Sequence, residues 1–342
     1  MATSQFTIYS SADAGHPILK GDTTGSFLAL MNACLVDGYG SKVGAGWTKG
    51  TGSAADSSSC GIFIQPTGSG ATLFIDDNVP NATAGSRMAR IVGYDQVTNF
   101  TASTGPANGK INSIVTGSNP FPTAAQGFGT LTASLAVRKS TDMSNTERQW
   151  LVFADSRSVY TYIATGDTAA MYYGWTFGDI YSLKTGSADA FKCLLIGNIA
   201  EVAAGTVAND RLDVLGTLSV TVTGHFMQRG FGGSGASLTV TKHGDAIKGS
   251  STVLLGTTQF PNAVDTGLYI SPVWVCENAT STVRGRMRGF YQVLHAVAGF
   301  SDGQTFTGAG DYSGKTFMVV KGSPNAGLFL METSNTLETN DN

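Results

Sequence analysis

Four strand-length runs in close succession, between Gln149 and Ile196, constrain this chain more than any other feature. Trp150 to Ala154 (WLVFA) is apolar throughout. Asp155-Ser156-Arg157-Ser158 supplies turn chemistry, and Val159 to Ile163 (VYTYI) is entirely β-branched or aromatic. Two such runs around a short polar turn read as a β-hairpin. Gly174 to Leu183 reads as a third strand, with bulky residues at 175, 177, 181 and 183, and Phe191 to Ile196 as a fourth. A sheet of these strands is the expected core of the N-terminal half.

The remaining pattern is also of strands. Ile62 to Ile64 and Leu73 to Ile75 flank Pro66-Thr67-Gly68-Ser69-Gly70, a second hairpin signal, and Met88 to Tyr94 is a further short strand. One segment has helical periodicity: between Ser26 and Val36, the apolar residues Phe27, Leu28, Leu30, Met31, Cys34 and Leu35 fall on one face. Thr24 or Ser26 is placed to cap its start and Gly38 its end. A helix of this length is marginal alone, so its apolar face should pack on a sheet. Residues 101–130, rich in Gly, Pro, Ser, Thr and Asn, read as a long loop with apolar anchors at Ile111, Ile114, Phe121 and Phe128. The strand pattern breaks near 197–216 and resumes with Leu218 to Thr223, Leu238 to His243, Gly267 to Val275, Phe290 to Val297, Thr316 to Val320 and Leu328 to Met331. The expected fold is therefore mainly β: two β-rich domains, sandwich or barrel-like, over 1–199 and 200–342, with the helix 26–36 near the N-terminus.

Charged residues make up 13% of the 342, about half the usual ~25%. Gly is abundant at 44 residues, which suits short strands joined by tight turns and not a helical bundle. Net charge is -3, and no basic run has the length of a nucleic-acid tail. The densest basic cluster, Arg284, Arg286 and Arg288, alternates along a strand and should share one solvated or interfacial face. Cys34, Cys60, Cys193 and Cys276 form no C-x-x-C pair, so neither a zinc site nor a redox motif is indicated, and free thiols suit a reducing cytosol. The N-terminus shows no signal-peptide pattern and no stretch has the length of a membrane-spanning helix.

Catalytic patterns are weak. Gly230-Phe231-Gly232-Gly233-Ser234-Gly235 matches G-x-G-x-x-G, but a strand-like run follows in place of a helix, so it reads as a hairpin loop. Asp76 and Asp77 are adjacent on a strand end, point to opposite faces and read as turn residues. His16, His225, His243 and His295 lack metal-ligand spacing, and no G-x-S-x-G elbow is present. No catalytic, cofactor-binding or metal-binding residue is assigned.

Several segments carry a resemblance. Leu30 to Thr48 (LMNACLVDGYGSKVGAGWT) resembles the N-terminal signature of a structural protein family of tailed-bacteriophage virions, as do Trp150 to Arg157 and Phe177 to Lys184. Pro261 to Tyr269 and Arg284 to Tyr291 resemble segments of its C-terminal half. The resemblance implies a non-enzymatic virion subunit with no cofactor, made in the host cytoplasm. Its implied partners are itself and other virion proteins, with no specific nucleic acid and no membrane, and its implied place is the tail, baseplate or neck. A capsid decoration protein, or a carbohydrate- or receptor-binding module of a virion appendage, is the alternative; no residue pattern singles out a host glycan. Ile111, Ile114, Phe121, Phe128, Arg284, Arg286 and Arg288 are the expected assembly contacts.

The helix assignment makes a direct prediction. Leu30→Asp or Leu35→Asp should cost ~3–5 kcal/mol, because each buries an unpaired carboxylate. Asn32→Ala, off the apolar stripe, should be nearly silent in the same thermal melts.

Overall fold

The computed structural model describes residues 5–50, 60–77, 88–101, 114–122, 134–140, 145–166, 172–184, 189–198, 223–233, 236–243, 261–277, 282–293, 300–321 and 328–334. The fold is mainly β with one short helix. All strand pairs are antiparallel.

The hairpin expected between Gln149 and Ile163 is present as β9 (Trp150–Ala154) and β10 (Ser158–Ala164), with β1 (Thr7–Ser10) added outside β9. β10 continues to β11 (Tyr172–Ser182), which pairs with β12 (Cys193–Asn198). The second hairpin is β3 (Cys60–Ile64) and β4 (Thr72–Asp76), flanked by β2 (Thr48–Lys49) and β5 (Met88–Tyr94). β8 (Leu135–Arg138) joins β5 to β12 through the pair Ala136–Asn198.

The long-loop reading of 101–130 is corrected for its described part. β6 (Gln96–Thr101) pairs with β7 (Ile114–Ser118), so Ile114 opens a strand. Phe121 is an interior residue, not an exposed anchor. It is fully buried, stacks on Phe177 at 6.0 Å, and exchanges two backbone hydrogen bonds with Gly93. Isolated β-branched residues in a Gly- and Ser-rich stretch gave too little periodicity to show this hairpin. Ile111 and Phe128 lie outside the described residues.

β12 continues into β13 (Thr223–Arg229), β14 (Ala236–His243), β15 (Ile270–Glu277) and β16 (Thr282–Val293). β16 then pairs with the far end of β11, Met287 to Gly285 against Ile180 to Ser182, and closes a six-stranded barrel. Its strands come from both sides of the 199/200 boundary. Glycine is required at this closure. Gly178 has φ +150, and a Cβ there would lie 2.4 Å from the Ser158 Cα; one on Gly285 would lie 2.0 Å from the Tyr181 carbonyl oxygen. Gly178 also breaks the alternation of β11: Trp175 and Phe177 are buried before it, Ile180 after it, and the expected inward residue Leu183 is exposed.

The helix α1 spans Ser26–Asn32 and continues as one π-helical turn, Ala33–Asp37. All six residues of the predicted stripe are buried, and Phe27 meets the Trp175 ring edge-on at 5.8 Å. Gly38 ends it as expected, with φ 78 and its N–H donating to the Ala33 carbonyl. The start differs from expectation. Neither Thr24 nor Ser26 supplies the cap; Gly25 occupies the cap position at φ 80, and Asp77 accepts from the Phe27 and Leu28 N–H groups at 2.8 and 3.4 Å. Asp77, one residue past the end of β4, is thus a buried capping residue for the helix and not simply part of a turn.

A third layer leaves β16 at its other end. Phe290 to Gln292 pairs with β19 (Leu328–Glu332), β19 with β18 (Thr316–Lys321), and β18 with β17 (Thr305–Thr307). One face of this sheet, with Phe290, Val320, Phe329 and Met331, joins the main core. The other face, with Tyr291, Val293, Phe317, Val319 and Leu330, forms a separate cluster under Leu268, Ile270, Phe300, Phe306 and Tyr312. The strands β15-β16-β19-β18-β17 thereby curl into a half-barrel.

Truncating Phe121→Ala should destabilise the protein by ~3–5 kcal/mol in urea unfolding. A loss below about 1 kcal/mol would remove Phe121 from the core.

Candidate functional site

The three arginines expected on one solvated face are divided by the structure. Arg284 is buried between Asp189 at 2.6 Å and Glu277 at 2.5 Å. Arg288 is buried against Asp155, with Nη2–Oδ2 2.7 Å and Nη1–Oδ1 3.0 Å, and Nη1 also donates to the Ser158 hydroxyl at 3.1 Å. Burial works against the Arg288 charge, but the Asp155 carboxylate outweighs it and holds the pKa above its ordinary value. Arg286 alone is half-exposed, its guanidinium 5.3 Å from the Tyr181 ring centre. Alternation correctly grouped positions along the strand, but Asp189 and Asp155 lie 95 and 133 residues from their arginines and could not be foreseen; Glu277, seven residues from Arg284, faces it across the β15–β16 hairpin. Arg284 and Arg288 are therefore buried ion-pair residues and do not lie on a solvated face.

Other buried charges are equally committed. Asp77 meets Lys139 at 2.6 Å with both side chains fully buried; burial raises the Asp77 pKa, while Lys139 and the two helix N–H groups oppose the rise. Asp179 is raised by burial and accepts from the Ser69 hydroxyl at 2.6 Å and the Ser69 N–H at 3.0 Å. All four cysteines are free and buried. His16 is bonded to Glu147 at 2.5 Å and to the Asp13 carbonyl, and His225 is buried. His295 lies outside the described residues. Among the described residues, no three His, Cys, Asp or Glu side chains are placed to hold a metal ion. Gly230 to Gly233 forms the turn between β13 and β14, as the hairpin reading expected.

Strand edges differ in how they meet solvent. The outer edge of β1 is occupied: Lys42 Nζ donates to the Ile8 carbonyl at 2.9 Å, and the Ser10 N–H donates to Asp13 and to the Tyr39 hydroxyl. β2 is two residues long and ends in Lys49. Both are ordinary protections against edge pairing. β17 has neither. Val319 N–H donates to Gln304 and Gly308 N–H to Lys315, so the ladder to β18 uses positions 304, 306 and 308. The N–H and C=O of Thr305 and Thr307 point away from β18 and have no partner among the described residues.

Beside this edge lies a groove of about 780 Å³ between β17 and the start of β15. Leu268, Tyr269, Ile270, Phe300, Phe306 and Tyr312 supply its apolar and aromatic surface, and Phe317 lies buried at its base. Tyr269 is 48% exposed, which makes it the most accessible ring there. Asp265 and Asp311 line the groove, and no Lys or Arg does. The Tyr269 hydroxyl, the Gly267 N–H and the Asn262 side chain all donate to Asp265, holding its carboxyl down at about 2. It is therefore anionic at any physiological pH. Pattern reading did not single out these residues for function. The available signal was Asn262-x-x-Asp265-Thr-Gly267, an Asx-turn arrangement directly before a strand. A second groove, about 620 Å³, runs along Ile8, Trp150, Leu151, Tyr162 and Met318.

No protein-family model matches this chain, and no curated protein matches it.

Replacing Arg288→Met leaves the buried Asp155 carboxylate without its guanidinium counter-charge. The expected cost is ~3–5 kcal/mol, with a single unfolding transition seen by both fluorescence and circular dichroism. Two separated transitions would show that cooperative unfolding of the two halves depends on this ion pair.

Proposed function

We propose that this chain is a non-enzymatic structural subunit of a tailed-phage virion, in the tail, baseplate or neck region, held by loop and strand-edge contacts to itself and to other virion proteins. The observation that carries the reading is the open, uncharged edge of β17, in a molecule whose β1 and β2 edges are protected. An unprotected edge is an aggregation liability for a free protein and a ready contact for an assembling one. The resemblance supports the same reading. Its segments form the helix and the Trp47 contact, the β9–β10 turn, the barrel closure at β11 and β16, and the loop that lines the aromatic groove.

A saccharide-binding module is the second reading, favoured by the exposed Tyr269 ring beside two carboxylates.

Mass spectrometry of purified particles should recover the chain at a fixed copy number per particle, and sedimentation of the purified subunit should show concentration-dependent self-association. A chain that stays monomeric at all concentrations and is absent from particles would end the structural reading.

A further inference from the structure

Among the described residues, the half-barrel β15-β16-β19-β18-β17 has an open seam between its first and last strands. The seam is bounded on one side by the outward backbone groups of Thr305 and Thr307. On the other side lie Ile270 to Pro272 of β15, which pair with β16 but extend beyond the described pairing with β14. Pro272 lacks an N–H, as strand positions facing away from a ladder permit. Strand direction alternates through the five strands, so β15 and β17 run the same way. One further strand, antiparallel to both, completes an even-numbered antiparallel barrel. The space between them is the aromatic groove.

We propose that this seam receives an extended segment of a neighbouring chain, which adds to the edge of β17, seats a bulky apolar side chain against Phe300 and Phe306, and places a lysine or arginine beside Asp265 and Asp311. Each feature of the occupant answers a feature of the seam. The unpaired N–H and C=O groups of Thr305 and Thr307 call for backbone, which an extended peptide supplies at alternate residues. The half-buried rings of Phe300, Phe306 and Tyr312 call for apolar area. Two carboxylates with no basic residue in the lining select a cationic neighbour and disfavour an anionic one. The inference rests on the assembly reading and names its partner.

Hydrogen exchange on the free subunit and on intact particles tests it. In the free subunit the Thr305 and Thr307 amides should exchange rapidly; in particles their exchange should slow by about tenfold or more. Thr305→Pro removes an outward N–H without touching the β18 ladder, so the melting temperature should hold while incorporation into particles falls about tenfold. Asp265→Lys should reduce incorporation in the same direction. A chain that is present in particles with these two amides exchanging as in the free subunit overturns the seam contact and leaves the virion reading standing. Absence of the chain from particles overturns both. Protection of the Tyr269 region by cellotetraose on the free subunit, with no protection of Thr305 and Thr307 in particles, assigns the groove to a saccharide and also overturns the proposal.

Discussion

Asp155 and Arg288 meet through two parallel hydrogen bonds in a site from which water is excluded, and much of the molecule is arranged around that contact. Asp155 also accepts from the Arg157 and Ser158 N–H groups, which fixes the β9–β10 turn, while its carbonyl accepts from the Trp47 indole at 2.7 Å. Arg288 lies one residue beyond the β16 segment that closes the barrel on β11. The β9–β10 turn, the Trp47 indole and the strand that shuts the barrel therefore converge on one residue, Asp155. A bidentate guanidinium suits such a place better than an ammonium, because its geometry fixes orientation as well as charge.

The low charged fraction gains a physical meaning from the interior. Several of the few charged residues are spent inside: Asp77 with Lys139, Arg284 with Asp189 and Glu277, and Glu332 beneath Tyr291 and Lys315. Each such pair recovers its desolvation cost only through good geometry and further hydrogen bonds. The exterior is left with even less charge than composition suggests. β17 itself is left with Thr305, Phe306 and Thr307, an uncharged strand beside the Asp265 and Asp311 carboxylates.

Strand identity was legible wherever apolar or β-branched residues ran together, as in β9, β10, β18 and β19. The helix was legible to the residue on its buried face, because six apolar positions repeat at helical spacing. What escaped was relational. The helix cap lies fifty residues from the amide it satisfies, Asp189 and Asp155 lie far along the chain from Arg284 and Arg288, and Phe121 enters the core from a stretch with turn-like composition. The groove was invisible for the same reason: Tyr269 and Phe306 belong to runs with no shared pattern, and only the curl of the intervening strands brings them together.

The separation of Asp155 from its partner also sets a schedule for synthesis. Arg288 lies 133 residues later in the chain, roughly 7–27 s at a typical ribosomal pace of ~5–20 residues per second. Throughout that interval the β9–β10 hairpin can form locally, yet its central carboxylate has no guanidinium and the far end of β11 has no β16 beside it. Growing chains therefore carry an incomplete sheet with a hydrated acidic centre until the C-terminal third emerges. Closure is a long-range step that sets β16 beside β11 and takes the Asp155 carboxylate and the Arg288 guanidinium out of water together.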